Sequence, residues 1–139
     1  MIQINLTDLT RESIYPRVLQ TIEDMCDEYN LNKEFGFIST ACQEVIEHLL
    51  GMGSDFSVNL DVNIENTEVS FLFTSTEPVF ENLMEHYSEE NILKDLTDSL
   101  DISSENTSVS LTFHVKTHTE VARTMTQRTS IFKEENRNW

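Results

Sequence analysis

The sequence predicts a two-layer α+β sandwich, a mixed, mainly antiparallel sheet covered on one face by helices. Three observations predict it. Apolar and polar residues alternate in three separate places: at Ile2, Ile4 and Leu6, on both sides of a polar turn between Phe56 and Phe73, and from Val109 to Val115. Two long stretches of helical periodicity stand between the first and second of these. Each alternating run has one apolar side and one side of Asn, Asp, Ser and Thr, so helices are needed over one face alone.

In chain order, the first strand covers residues 2–6 and gives way to the polar turn TDLTRES, which offers Thr10 or Ser13 as an N-cap. Pro16 belongs in a first helical turn, where its missing N–H has no partner to lose, and this favours the later cap. Tyr15, Val18, Leu19, Ile22, Met25, Cys26 and Tyr29 then form one stripe of a helix, with Glu23, Asp24, Asp27 and Glu28 on its solvated side. Residues 30–32 connect to a second helix, with Asn32 as the expected cap. Ile38, Ala41, Cys42, Val45, Leu49 and Met52 share one face of that helix, and it stops in the glycines at 51–53. A hairpin follows over residues 56–74, turning at 65–67. After a loop at 74–78, helices are expected over residues 79–87 and 91–100, the second with Ile92, Leu93, Leu96 and Leu100 inward. A turn at 105–107 leads to the last strand, 109–115.

Composition narrows the function classes. The 139 residues suffice for one domain with a real core. No apolar run approaches the length that spans a bilayer. Residues 1–10 lack the basic and apolar regions of a secretory leader. Net charge is −16, without the basic footprint that nucleic acid or an anionic membrane surface requires. Cys26 and Cys42 are too few for a disulfide framework and both lie on apolar helix stripes, so reduced core thiols in a cytoplasm are expected. The charge is uneven. Residues 1–116 hold 5 Lys/Arg against 22 Asp/Glu, whereas residues 117–139 hold 4 against 3. A domain at 1–116 and a C-terminal arm at 117–139 follow from that break. The arm, with Arg123, Arg128, Lys133 and Arg137, is expected to be ordered and to help hold a homodimer by covering a sheet edge.

The chemistry-bearing residues concentrate on the second helix. Glu44 and His48 are one turn apart at the rim of its apolar stripe, where a pocket would open. Two plainer readings apply to the same pair, an i,i+4 ion pair on a helix flank or a general acid/base pair of another enzyme class. His114 and His118 are also four apart, but no third ligand is placed to complete a zinc site. The acidic run 81–90 lacks the residue order of a calcium loop and reads as a solvated helix face.

The segment Ala41–His48, ACQEVIEH, has the Ala and Glu of a motif A-x-x-E-x-x-x-N, and residues 74–78 are followed by the helix and strand pattern ILKDLTDSLDIS and NTSVSLTF. With the order of elements, these residues resemble the histidine-kinase-like ATPase (GHKL) superfamily, and within it the anti-sigma factor serine kinase branch, over roughly residues 1–115. The resemblance implies a nucleotide site in which Glu44 is the general base. It places His48 where the family has the Asn that holds magnesium, although magnesium prefers oxygen ligands. In the family's next motif, D-x-G-x-P-F, Pro78 matches, whereas Thr74 replaces the adenine-binding Asp and Thr76 the Gly. The family's lid is glycine-rich, but residues 81–95 contain no glycine and are acidic. Glycine allows backbone to approach phosphate, and carboxylates repel it. The reading that follows is a regulatory protein-interaction module with a weakened or lost ATP site and a protein partner. The alternative is a divergent ATP- and magnesium-binding domain that acts as a serine protein kinase through Glu44.

Overall fold

The structure, a computed structural model, describes residues 2–65, 67–83 and 92–115. The elements are β1 (Ile2–Leu9), α1 (Ile14–Glu28), α2 (Phe35–Leu50), β2 (Val58–Ile64), β3 (Glu68–Thr74), α3 (Ile92–Leu96), β4 (Ser99–Ile102) and β5 (Ser108–His114). The five strands form one open sheet in the order β1-β2-β3-β5-β4. Every pairing is antiparallel, so the mixed component of the expected sheet is not seen.

Alternation sets the two faces. Leu60, Val62 and Ile64 of β2, Val69, Phe71 and Phe73 of β3, and Val109, Leu111 and Phe113 of β5 are all buried under the helices. Between them lie Asn59, Asp61, Ser70, Thr74, Ser110 and Thr112, on the open face. From α1, Ile14, Val18, Ile22, Met25 and Cys26 join the core, and from α2, Ile38, Ala41, Cys42, Val45, Ile46 and Leu49. One apolar layer between one sheet face and one set of helices is the expected sandwich.

The helix ends have local causes. Ser13 is the N-cap of α1, and Pro16 falls in the first turn, as its chemistry requires. Ser13 Oγ accepts from the backbone N–H of Thr10 at 2.9 Å, closing the turn before the helix. At the other end Asn30 is left-handed (φ 58°), and the Leu31 N–H returns to the Cys26 carbonyl at 2.8 Å. This is the Schellman closure, with Asn serving at the left-handed position and the following apolar residue, Leu31, buried. That closure consumes residues 30–32, so α2 begins at Phe35 with Glu34 at its N-cap, not at the expected Asn32.

Two further expectations are corrected. The helix expected over 91–100 is α3, which ends at Leu96, followed by β4 at Ser99–Ile102. Leu100 pairs with Leu111 and Ile102 with Val109 on the edge of β5. The Asp98 N–H, donating to the Thr112 carbonyl at 2.8 Å, starts that ladder and stops the helix. Within the helix expected at 79–87, residues 79–83 form turns, while residues 84–87 lie outside the described residues. The first strand runs three residues beyond the expected Leu6. A bulge between Leu6 and Leu9, with Asp8 at φ 56°, shifts the alternation by one and turns Leu9 into the core. Asp8 is held there by its N–H on Asn59 Oδ1 (2.9 Å) and by Ser57 Oγ on its carboxylate (2.7 Å). The arm expected at 117–139 also lies outside the described residues. No helix among the described residues is long and apolar enough to cross a membrane.

Candidate functional site

The site that the sequence singles out is the exposed edge of α2. Ala41 and Val45 are buried, and Glu44 and His48 emerge half-buried beside them. The helical row therefore holds as expected. His48 Nε2 donates to the backbone carbonyl of Val79 at 3.0 Å. A carbonyl only accepts, so the proton sits on Nε2 and that nitrogen has no lone pair for a metal ion. The histidine is a clasp between α2 and the chain that follows β3.

The clasped loop is fastened at several other points. The Ser75 N–H donates to the Thr107 carbonyl at 2.8 Å and the Phe80 N–H to Asn106 at 3.1 Å, which ties the loop to the turn between β4 and β5. Ser75 Oγ donates to the Ser57 carbonyl at 3.1 Å. Val79, Phe80 and Leu83 are buried, so the residues after Pro78 fill core space, and Val79 is tied to α2 through His48. Thr74 is the last residue of β3, opposite Asn59 and Ser108. It alternates with buried Phe73 and so belongs to the open face of the sheet, away from the helix that carries Glu44. Thr76 is exposed on the loop. Of the four positions tied by resemblance to a nucleotide, Glu44 and His48 are brought together on α2, and Thr74 is not brought to them.

A cavity of about 560 Å³ lies where this loop meets the chain leaving α2. Met52, Phe56, Pro78 and Val79 supply its apolar wall, and Ser54, Ser57, Ser75 and Thr76 its hydroxyls. Among the described residues, its charged lining side chains are Asp55 and Glu77, both acidic. Neither Glu44 nor His48 lines it. An anionic phosphate gains nothing from such a wall, whereas neutral or basic groups do.

Arg11, in the turn before α1, shapes this cavity. Its guanidinium donates to the Leu50 carbonyl at 2.8 Å and to the Ser54 carbonyl, and it lies 5.6 Å from the ring centre of Phe56. A cation at the carbonyl end of α2 also complements the helix dipole. Gly53, at φ 77°, makes the turn that brings Ser54 back to Arg11. Nothing in the polar run TDLTRES links Arg11 to residues some forty positions later, so the sequence reading missed it. Arg11→Ala should lower stability by about 1–2 kcal/mol in a urea titration. Arg11→Lys should recover less than half of that, because one ammonium does not span both carbonyls. No loss in the alanine variant would show that the loop 51–56 does not depend on this clasp.

Cys26 and Cys42 lie on the facing apolar stripes of α1 and α2, buried and free, as expected. Burial pushes the Cys26 thiol up to about 11, with the nearby Glu34 carboxylate adding to the effect. Cys42 is raised further by the same loss of solvation. Neither is a nucleophile near neutral pH. Among the described residues, no group of three His, Cys, Asp or Glu side chains is placed to hold a metal ion. Compared with known proteins, the chain matches no family model and no curated sequence.

Proposed function

We propose that this chain is a regulatory protein-interaction module, built on an anti-sigma-kinase-like ATPase scaffold whose nucleotide site is weakened or lost. One observation carries the reading. The imidazole at the position of the family's magnesium ligand is spent as a structural donor to Val79. Three features support it. Thr74, at the position of the adenine anchor, stands on the open face of the sheet. The chain after Pro78 is packed into the core through Val79 and Phe80, with Val79 bonded to His48. The neighbouring cavity is acidic. What the scaffold offers in exchange is a recess of small-ligand size with an exposed methionine, Met52, at its mouth and carboxylates in its wall. That combination suits apolar and basic side chains of a partner protein better than a nucleotide.

Calorimetry with magnesium-ATP tests the reading. The expected result is no submillimolar binding to the full chain. Thr74→Asp should not create such binding, because the new carboxylate would project from the far side of the sheet. Submillimolar binding to the wild-type chain that is lost in Glu44→Ala would overturn the proposal in favour of an active ATP-dependent serine kinase. Micromolar binding in Thr74→Asp would show that the phosphate side of the site is intact.

A further inference from the structure

At the other end of α2, roughly 24 Å away by helix rise, a second hollow of about 260 Å³ opens. Its apolar walls are Phe37, Leu96 and Phe113, and its rim carries the carboxylates of Glu34, Asp95 and Asp98. Phe37 is 55% exposed, although it belongs to a helix whose other aromatic and aliphatic side chains point into the core. The Asp98 carboxylate is fixed in the rim by the backbone N–H of His114, at 2.6 Å. Among the described residues, no lysine or arginine lines the hollow. An exposed aromatic ring in a hollow that three carboxylate residues also line is the chemistry that receives a guanidinium, which stacks through its plane and donates in-plane to acids.

The chain itself leaves the described residues at this place. His114 lines the hollow, and the next residue, Val115, donates its N–H to the Thr67 carbonyl at 2.9 Å. The segment beyond it carries 4 Lys/Arg against 3 Asp/Glu, whereas residues 1–116 carry 5 against 22. Its first arginine is Arg123, flanked by Val121, Ala122 and Met125. The nine residues from His114 to Arg123 reach at most about 30 Å when extended, ample for a reversal that takes only a few residues. The cost of closing a loop grows with its length, so Arg123 is favoured over Arg128 and Arg137.

We propose that Arg123 of this chain's own C-terminal segment docks in the hollow, its guanidinium over Phe37 and its N–H groups toward Glu34, Asp95 and Asp98. This inference concerns a different surface from the α2–loop cavity and stands without the functional reading above. The tether supplies an effective concentration in the millimolar range, so a pocket of modest affinity is filled in cis. The competing occupant is the same arginine from a second copy, the arrangement that an arm holding a homodimer would make.

The test uses full-length protein and a synthetic peptide of residues 117–130, read by amide NMR shifts at residues 34–37 and 95–98. Arg123→Glu should move these amides relative to wild type, equally at 10-fold different protein concentrations. The peptide should then saturate the hollow of the Arg123→Glu chain and need at least 10-fold more to do so in wild type, where the pocket is filled. In Arg123→Glu combined with Asp95→Lys, whose core amides serve as the folding control, the peptide should shift nothing. Identical spectra for wild type and Arg123→Glu would overturn the proposal, as would equal peptide affinity for both. A wild-type signal that fades on dilution, in step with dissociation of a dimer by light scattering, would assign the hollow to a second copy instead.

Discussion

Phe71→Ala is expected to lower the unfolding free energy by about 3–5 kcal/mol, the cost of removing a large buried side chain and leaving a cavity. Phe71 sits at the centre of the central strand, opposite Val62 of β2 and Leu111 of β5. It is fully buried, and its ring meets Phe113 edge-on, with centroids 5.8 Å apart at 88°. That geometry is favourable beyond the area it buries. Most domains have only about 5–15 kcal/mol to lose, so the variant should be partly unfolded at physiological temperature. Leu72→Ala, one residue along on the open face, should cost less than about 1 kcal/mol. Urea midpoints at unchanged slope measure both. Equal losses for the two positions would mean that β3 does not present its odd-numbered residues to the helices.

The second large effect is alkaline. Cys26 is an acid whose charged form is disfavoured in the fold, with its thiol pushed up to about 11, whereas an unfolded thiol ionises near 8.5. Above that value the unfolded chain releases protons that the folded chain retains, so unfolding becomes easier as pH rises. The stabilisation is complete below about pH 8.5 and disappears as pH climbs through the folded-state value. For Cys26 alone this amounts to roughly 3 kcal/mol, and Cys42, more deeply buried, acts in the same direction. Other groups titrate in this range too, so the measurement is a comparison. Stability of wild type should fall from pH 8 to 11 more steeply than that of the Cys26→Ala, Cys42→Ala variant. A water-soluble thiol reagent at pH 8 should label both cysteines only at the rate of unfolding. Parallel stability curves, or labelling within seconds, would place the thiols at the surface.

The two hollows lie by opposite ends of one helix. At its C-terminal end, Arg11 and the His48 clasp set the distance between the residue 51–56 loop and the chain after β3. At its N-terminal end, Phe37 is left exposed beside Leu96 and the end of β5. Both recesses are rimmed by acids in a chain of net charge −16, so each selects for basic or neutral groups. A nucleotide reading and a protein-partner reading therefore diverge on charge before any detail of shape is considered.

The sequence by itself determined whatever depends on spacing along the chain. The period of two within 56–74 and 109–115 named three strands and the face each would bury, and the structure places them at Val58–Ile64, Glu68–Thr74 and Ser108–His114. The period of 3.6 and the placement of Ser13 and Pro16 defined α1, and the same periodicity put Glu44 and His48 at the rim of α2. Only the tertiary structure decided the rest. Leu96 and Leu100, four apart, satisfy helical and strand spacing alike, and it is the free edge of β5 that made Ser99–Ile102 a strand. One bulge residue, Asp8, reversed the parity of β1 and brought in Leu9. Arg11 and His48 acquired their roles from carbonyls at Leu50 and Val79, 39 and 31 residues away. Periodicity is a property of neighbours on one chain, whereas a clasp, a register or a pocket wall depends on which distant backbone groups lack a partner, and folding alone brings those together.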